Sequence, residues 1–201
     1  MKKILFILAF CFVFGAGSAQ AQNWLNALKS VATTAIDKVT GGQLTAKSII
    51  GTWKYVQPGV KLSSSDALSE LAASAATSTL QTKMATYYEK VGIKAGACSF
   101  TLNEDGTFTS TFGKKSFGGT YTFDPKTNQL MLKYDSQLIN WGSIPAYAYI
   151  NGQNMQIVFP IDKLVGVLTT LGSNVGALST ITDLIKKYDS VKIGFEFAKY
   201  N

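Results

Sequence analysis

The feature that most constrains the fold is a hydrophobic pattern of period two, first seen clearly over residues 98–112. In "CSFTLNEDGTFTSTF", large apolar side chains alternate with Ser, Thr and Asn on both sides of Asp105-Gly106. Such alternation is typical of strands that bury one face, and Asp-Gly is a preferred two-residue hairpin turn. The segment therefore predicts two antiparallel strands joined by a tight turn.

The same pattern occurs twice more before residue 160. "GTYTFDPKTNQLMLKY" turns at residues 124–128, and "AYAYINGQNMQIVF" turns at Asn151-Gly152. A first strand over residues 51–57 and a last one over about 191–197 bring the predicted number of strands to eight. We expect Pro58-Gly59 to end the first strand, because this dipeptide is typical of turns.

Three stretches have apolar residues at the helical period of 3.6. One runs from Trp24 to Val39 and leads into strand one. The second covers residues 66–91, after strand one. The third covers residues 161–188, after strand seven, and Gly172 divides this third stretch into two helices. The fold class predicted is mainly β with helical insertions: an N-terminal helix, eight strands, and helices after strands one and seven.

Eight strands in simple succession lose their exposed edges by closing into an up-and-down antiparallel β-barrel. The tight turns at 105–106, 124–128 and 151–152 would then share one rim, and both helical insertions would lie at the other. The N-terminal helix is expected to cover the rim of the tight turns, because it enters strand one there.

The first 21 residues are typical of a secretory signal peptide. Lys2 and Lys3 precede an apolar run, and Ala19-Gln20-Ala21 matches a cleavage site. The run is too short to span a bilayer as a helix. We therefore expect cleavage after Ala21, a periplasmic or secreted location, and a single mature domain over residues 22–201 with no transmembrane segment.

The composition argues against several classes of function. The sequence contains no Arg and no His, and removal of Lys2 and Lys3 leaves 17 lysines against 12 acidic residues, a net charge of +5. Without Arg, the chain lacks the residue that usually makes bidentate hydrogen bonds to phosphates and nucleic-acid bases. Without His, it lacks the usual general base and a common metal ligand. We expect no nucleic-acid partner, no bound metal and no cofactor.

Cys98 is the only cysteine of the mature chain, so no internal disulfide can form. It alternates in phase with Phe100 and Leu102, which predicts a small buried core side chain. No His is present to activate it as a nucleophile. Glu104-Asp105 lie in a predicted turn and are more simply solvated turn formers than an acid-base pair. We therefore expect the protein not to be an enzyme.

Gly51-Thr52-Trp53, at the start of strand one and just after a short helix, resembles the G-x-W signature of lipocalins. With "FTLNEDGTFTSTF" and the segment of residues 119–134, the mature chain resembles the secreted lipocalin-like domains of unknown function from Bacteroides and its relatives. The resemblance implies a calycin-type barrel in which Gly51 relieves crowding and Trp53 plugs the closed end. Lipocalins usually pack an Arg from the last strand over this Trp, and Lys199 is the candidate replacement here. The alternative is that Trp53 is an ordinary core aromatic of another β-fold.

The resemblance also implies non-catalytic binding of a small apolar or amphipathic ligand in the barrel or at its mouth. The alternative is a structural or protein-interaction module whose barrel is filled, because the inward positions are bulky. The predicted inward aromatic residues are Trp53, Phe100, Phe108, Phe112, Tyr121, Phe123, Tyr134, Phe159, Phe195 and Phe197. Ser110, Ala146 and Ala148 are the small inward residues.

The candidate ligand site is a helical lid over the mouth. Its predicted ligand-binding residues are Leu80, Met84, Tyr87, Trp141, Leu168 and Leu171. Gly51, Trp53 and Cys98 are predicted to be structural. A helical cap that merely completes the core remains the alternative to a lid.

Overall fold

The computed structural model describes residues 43–63, 69–135, 142–171 and 190–200. Eight antiparallel strands pair in chain order in one sheet, and β8 pairs back with β1 to form a closed barrel. The strands are β1 (Gly51–Ser63), β2 (Cys98–Leu102), β3 (Thr107–Phe112), β4 (Lys115–Asp124), β5 (Gln129–Tyr134), β6 (Ser143–Asn151), β7 (Asn154–Pro160) and β8 (Ser190–Tyr200). The prediction of a mainly β protein with eight antiparallel strands is confirmed.

Three helices are described: α1 (Gln43–Ser48), α2 (Ser69–Lys90) and α3 (Ile161–Leu171). α2 follows β1 and α3 follows β7, as predicted. The signal peptide, the helix predicted over Trp24 to Val39 and the second helix predicted before residue 188 lie outside the described residues. Within the described part of the chain, no helix combines the length and the apolar character needed to cross a membrane.

Acidic side chains stabilise the tight turns. The Asp105 carboxylate accepts hydrogen bonds from the Thr107 backbone N–H (2.9 Å) and hydroxyl (2.6 Å). The Asp124 carboxylate accepts them from the Lys126 N–H (2.9 Å) and the Thr127 hydroxyl (2.8 Å). These bonds favour the charged forms, so the pKa of each carboxyl is lowered. The two groups are therefore exposed turn formers.

β1 is longer than the sequence predicted. It continues through Pro58 to Ser63 and pairs with β8 as far as Ser190, whereas its described pairing with β2 covers residues 51–54. Pro58 is tolerated because β1 has a strand on one side only at that level. The register shifts between Tyr55 and Gln57, which indicates a β-bulge. The prediction that Pro58-Gly59 ends the strand was wrong.

α2 lies beside the upper part of β1, where β2 is not paired with it. The Gln81 side-chain amide donates to the Pro58 carbonyl (3.1 Å), and the Tyr88 hydroxyl donates to the Gly194 carbonyl (3.1 Å). The Gly96 N–H, after the helix, donates to the Tyr55 carbonyl (3.4 Å). α2 thus packs against β1 and β8 where β1 has no β2 partner.

We call the rim with the connections after β1 and β7 the mouth, and the rim with the tight turns the closed end.

Candidate functional site

The closed end is built around Trp53, which is 2% exposed. Its indole N–H donates to the Ile49 carbonyl (2.8 Å), and the Lys199 ammonium lies 5.3 Å from the centroid of the Trp53 rings. Gly51 has a φ of +126°, and a Cβ there would lie 3.5 Å from the Lys199 side chain. A cation from the last strand therefore lies over the Trp, as the lipocalin resemblance implied, with Lys in place of Arg.

Aromatic side chains occupy most of the barrel interior. Phe100 stacks on Phe108 with ring centroids 5.3 Å apart, and Phe195 contacts Phe112 at 5.1 Å. The predicted inward aromatics that are buried are Trp53, Phe100, Phe108, Phe112, Phe159, Phe195 and Phe197, while Tyr121, Phe123 and Tyr134 are partly buried. Sequence reasoning missed Tyr55 and Tyr88, which join this cluster through ring contacts.

The predicted lid residues pack against the interior. Leu80, Met84 and Leu168 are fully buried, Tyr87 is almost so, and Leu171 is partly buried against the same cluster. Trp141 lies outside the described residues. The inward face of α2 is Leu80, Met84 and Tyr88, at a spacing of four residues that the sequence could have revealed. In the structure these side chains are part of the buried core cluster.

A groove of about 440 Å³ lies along the line where α2 meets β1. We call it the α2–β1 groove. Its apolar lining consists of Tyr55, Val56, Pro58, Ala85, Ile93 and Ala95. Gln57, Glu89 and Lys94 are its polar lining residues. The volume is in the range of small-molecule sites, and Val56, 41% exposed, offers an unusually accessible apolar side chain.

A polar spot interrupts the apolar interior on the opposite wall. Tyr134 pairs with Gly119 of β4, and its ring reaches past this residue to Phe108 of β3, with centroids 5.0 Å apart. Burial raises the pKa of Tyr134, and an interaction with Ser110 partly offsets that rise. Ser110 is 1% exposed, yet its hydroxyl makes no hydrogen bond of normal geometry with any described residue.

A family model for a lipocalin-like domain, DUF4923, matches residues 25–199. The chain belongs to this lipocalin-like family. The match confirms the resemblance to lipocalin-like domains of unknown function. Among solved structures, the chain is similar to a DUF4847 family protein from Bacteroides vulgatus, with 14% identity over 76% of this chain and 96% of that chain and a TM-score of 0.37. A comparison with curated proteins gives no match.

The outer wall of the lipocalin-like domain contains a buried carboxylate, Glu196. It accepts hydrogen bonds from the side-chain amides of Asn154 (2.7 Å), Gln156 (3.0 Å) and Gln57 (3.2 Å). These donors come from both strands that flank β8. The network therefore ties β7, β8 and β1 together, and its role is explained by the closure of the sheet.

Cys98 is 1% exposed, and burial raises the pKa of its thiol. We expect folded protein to react slowly with a thiol reagent, because the reactive thiolate is disfavoured. Ellman's reagent, with and without denaturant, measures this. A Cys98→Ser variant that also carries Ser99→Cys is the control, since Ser99 is partly exposed on the other face. Equally fast labelling of the parent would contradict a buried, structural role for Cys98.

Among the described residues, no group of three metal-ligating side chains occurs.

Proposed function

We propose that this lipocalin-like domain binds a small apolar or amphipathic molecule at the mouth of its barrel, without catalysis, after export and cleavage at Ala21. The observation that carries the proposal is the α2–β1 groove of about 440 Å³. Its lining combines an apolar surface with a few polar side chains, which is the usual character of a small-molecule site. The absence of His from the sequence and the burial of Cys98 support a role without catalysis.

One helix, α2, borders both the groove and the buried interior. Ala85 and Glu89 of α2 line the groove, while Leu80 and Met84, on another side of the helix, are buried in the barrel interior. A ligand in the groove would therefore contact α2. Outward movement of α2 would extend the site to the described lid residues of the prediction, which are Leu80, Met84, Tyr87, Leu168 and Leu171.

Filling the groove provides the test. Ala85→Trp adds a large side chain to the groove wall, and we expect it to weaken binding of diphenylhexatriene, an uncharged fluorescent hydrocarbon, by at least about tenfold. Thr82→Trp is the matched control, because Thr82 is exposed on the same helix. Fluorescence titration gives the affinities, and circular dichroism shows whether each variant remains folded. Equal affinities of the parent and Ala85→Trp would exclude the groove as the site.

A filled interaction module is the second candidate, favoured by the aromatic packing of the interior. Tyr55, Tyr88, Phe195 and Phe197 form a connected set of rings with centroid distances of 5.1–6.3 Å. Native mass spectrometry of protein recovered from its own cell envelope separates the two candidates. A copurified small molecule supports ligand binding, whereas a bound protein with no small molecule supports the module. The intact mass also shows whether residues 1–21 have been removed.

A further inference from the structure

The four strands β6, β7, β8 and β1 carry an excess of positive charge. They contain four lysines, Lys54, Lys61, Lys192 and Lys199, against one acidic residue, Glu196. Glu196 is buried, and three side-chain amides already donate hydrogen bonds to its carboxylate. No described carboxylate lies within ion-pair distance of Lys61 or Lys192. This wall therefore presents cations that no described carboxylate neutralises.

Lys61 and Lys192 lie directly opposite each other on β1 and β8. Like charges at opposite positions of an antiparallel pair destabilise a sheet. Both ammonium groups lie over tyrosine rings of β6. Lys192 Nζ is 4.5 Å from the ring centroid of Tyr147, and Lys61 Nζ is 5.0 Å from that of Tyr149. These contacts hold the two cations in place but leave their charge uncompensated.

Small residues let these side chains meet across the outer wall. The row of paired positions that includes Tyr147 continues through Val158, Gly194 and Gly59. Two of these four residues have no side chain, so the long lysine side chains can reach across the wall to β6. Tyr147 and Tyr149 are two residues apart and share one face of their strand, so two ammonium groups and two hydroxyls gather there. We call this set of four residues the lysine–tyrosine cluster: Lys61, Lys192, Tyr147 and Tyr149.

The cluster combines two positive charges with several hydrogen-bond donors. Each ammonium group has three N–H bonds, and Lys192 uses one of them on the Ser190 hydroxyl (3.2 Å). Burial, and then the neighbouring Tyr147, raises the pKa of Tyr149, so the Tyr149 hydroxyl remains a donor at neutral pH. A phosphate monoester has about −1.5 to −2 charges near pH 7 and three strong acceptor oxygens. Lysine binds phosphate as a point charge, so this set of donors fits such a group without any Arg.

We propose that the lysine–tyrosine cluster binds a phosphate group with about two negative charges, either free phosphate or a phosphate monoester. The two ammonium groups supply the charge, and the tyrosine hydroxyls donate to the remaining oxygens. The bound anion also offsets the repulsion between Lys61 and Lys192. The cluster shares no residue with the lining of the α2–β1 groove, so the proposal does not depend on ligand binding in that groove.

Calorimetric titration with phenyl phosphate and phenyl sulfate tests the proposal, at low salt to limit screening. The two probes have nearly the same shape, but the sulfate ester carries a single charge, so we expect the parent to bind phenyl phosphate more tightly. Lys61→Gln and Lys192→Gln should each weaken phenyl phosphate binding roughly tenfold, the lower end for a lost hydrogen bond to a charged group. Tyr149→Phe keeps the ring and removes one donor, so its effect should be smaller. All three positions are exposed or partly exposed, and circular dichroism checks the fold of each variant.

Lys54→Gln is the matched control, because it removes the same charge from the same strand as Lys61→Gln. Lys54 Nζ also lies over a tyrosine ring, 3.4 Å from the centroid of Tyr200, but the residue opposite Lys54 on β8 is Ala198. We expect this variant to bind phenyl phosphate nearly as well as the parent. Ala85→Trp, which fills the α2–β1 groove, should also leave phenyl phosphate binding unchanged.

The possible outcomes separate this site from the groove. Equal affinities for the two probes, no binding to the parent, or equal losses in Lys54→Gln and Lys61→Gln would overturn the proposal. Loss of phenyl phosphate binding in Ala85→Trp would place the probe in the groove and would overturn it as well. Inorganic phosphate, titrated separately, identifies the source: an affinity equal to that of phenyl phosphate supports free phosphate, and a weaker one supports an ester. Diphenylhexatriene binding tests the proposed function independently of these results.

Discussion

Trp53→Ala should lower the free energy of unfolding by about 3–5 kcal/mol, which is typical for truncation of a buried aromatic residue. Trp53 is almost fully buried at the closed end, and its loss would leave a cavity beneath Lys199. It would also leave the Ile49 carbonyl without the indole N–H that it accepts. Because a domain of this size is stable by roughly 5–15 kcal/mol, the effect is a large share of the total. Urea unfolding followed by circular dichroism measures it.

Two milder substitutions separate the contributions to the Trp53 effect. Trp53→Phe keeps most of the apolar contact and loses the hydrogen bond, so we expect an intermediate loss. Lys199→Met keeps an apolar stem over the rings and removes the charge, which should cost about 1 kcal/mol or less at this exposed position. If Trp53→Ala were no more harmful than Lys199→Met, Trp53 would not be the plug of the closed end.

The strands and their order could be predicted because their signals are local. Asp105-Gly106 and Asn151-Gly152 mark turns by residue type alone, and the alternation around them fixes which side chains face inward. The G-x-W at Gly51 to Trp53 then orients the barrel. Because the sequence has no Arg, Lys199 could also be predicted as the cation that lies over Trp53.

The α2–β1 groove could not be predicted, because it depends on where pairing stops. Pro58 suggests the end of a strand, yet β8 continues to pair with β1 beyond it. The groove exists because the described pairing of β2 ends at Lys54 and α2 occupies the adjoining space. These are relations between distant segments, and no short pattern records them. The interaction of Ser110 with Tyr134 is equally non-local, since Gly119 lies on the strand between them.

Gly194→Ala should destabilise the barrel by roughly 3 kcal/mol, at the upper end of the usual cost of overpacking. A Cβ at Gly194 would overlap the Ile157 carbonyl oxygen and come within 2.8 Å of the Val158 Cα, both of them backbone atoms of β7. Backbone atoms of a paired strand cannot rotate away as a side chain can. The two strands would therefore have to separate where β8 closes the sheet.

β8 is also closely packed on its β1 side, so it cannot shift away from β7 there. Gly194 pairs with Gly59 of β1, and a Cβ added at Gly59 would lie 2.9 Å from the Phe195 backbone. The Gly194 carbonyl also accepts a hydrogen bond from the Tyr88 hydroxyl of α2. Displacement of β8 would thus strain its contacts with β1 and α2 as well. Gly166→Ala is the matched control: nothing lies within 4 Å of a Cβ at that position in α3, so stability should rise by up to about 1 kcal/mol. Thermal and urea unfolding of both variants measure the difference, and equal stabilities would show that β7, β8 and β1 do not approach as closely as this barrel requires.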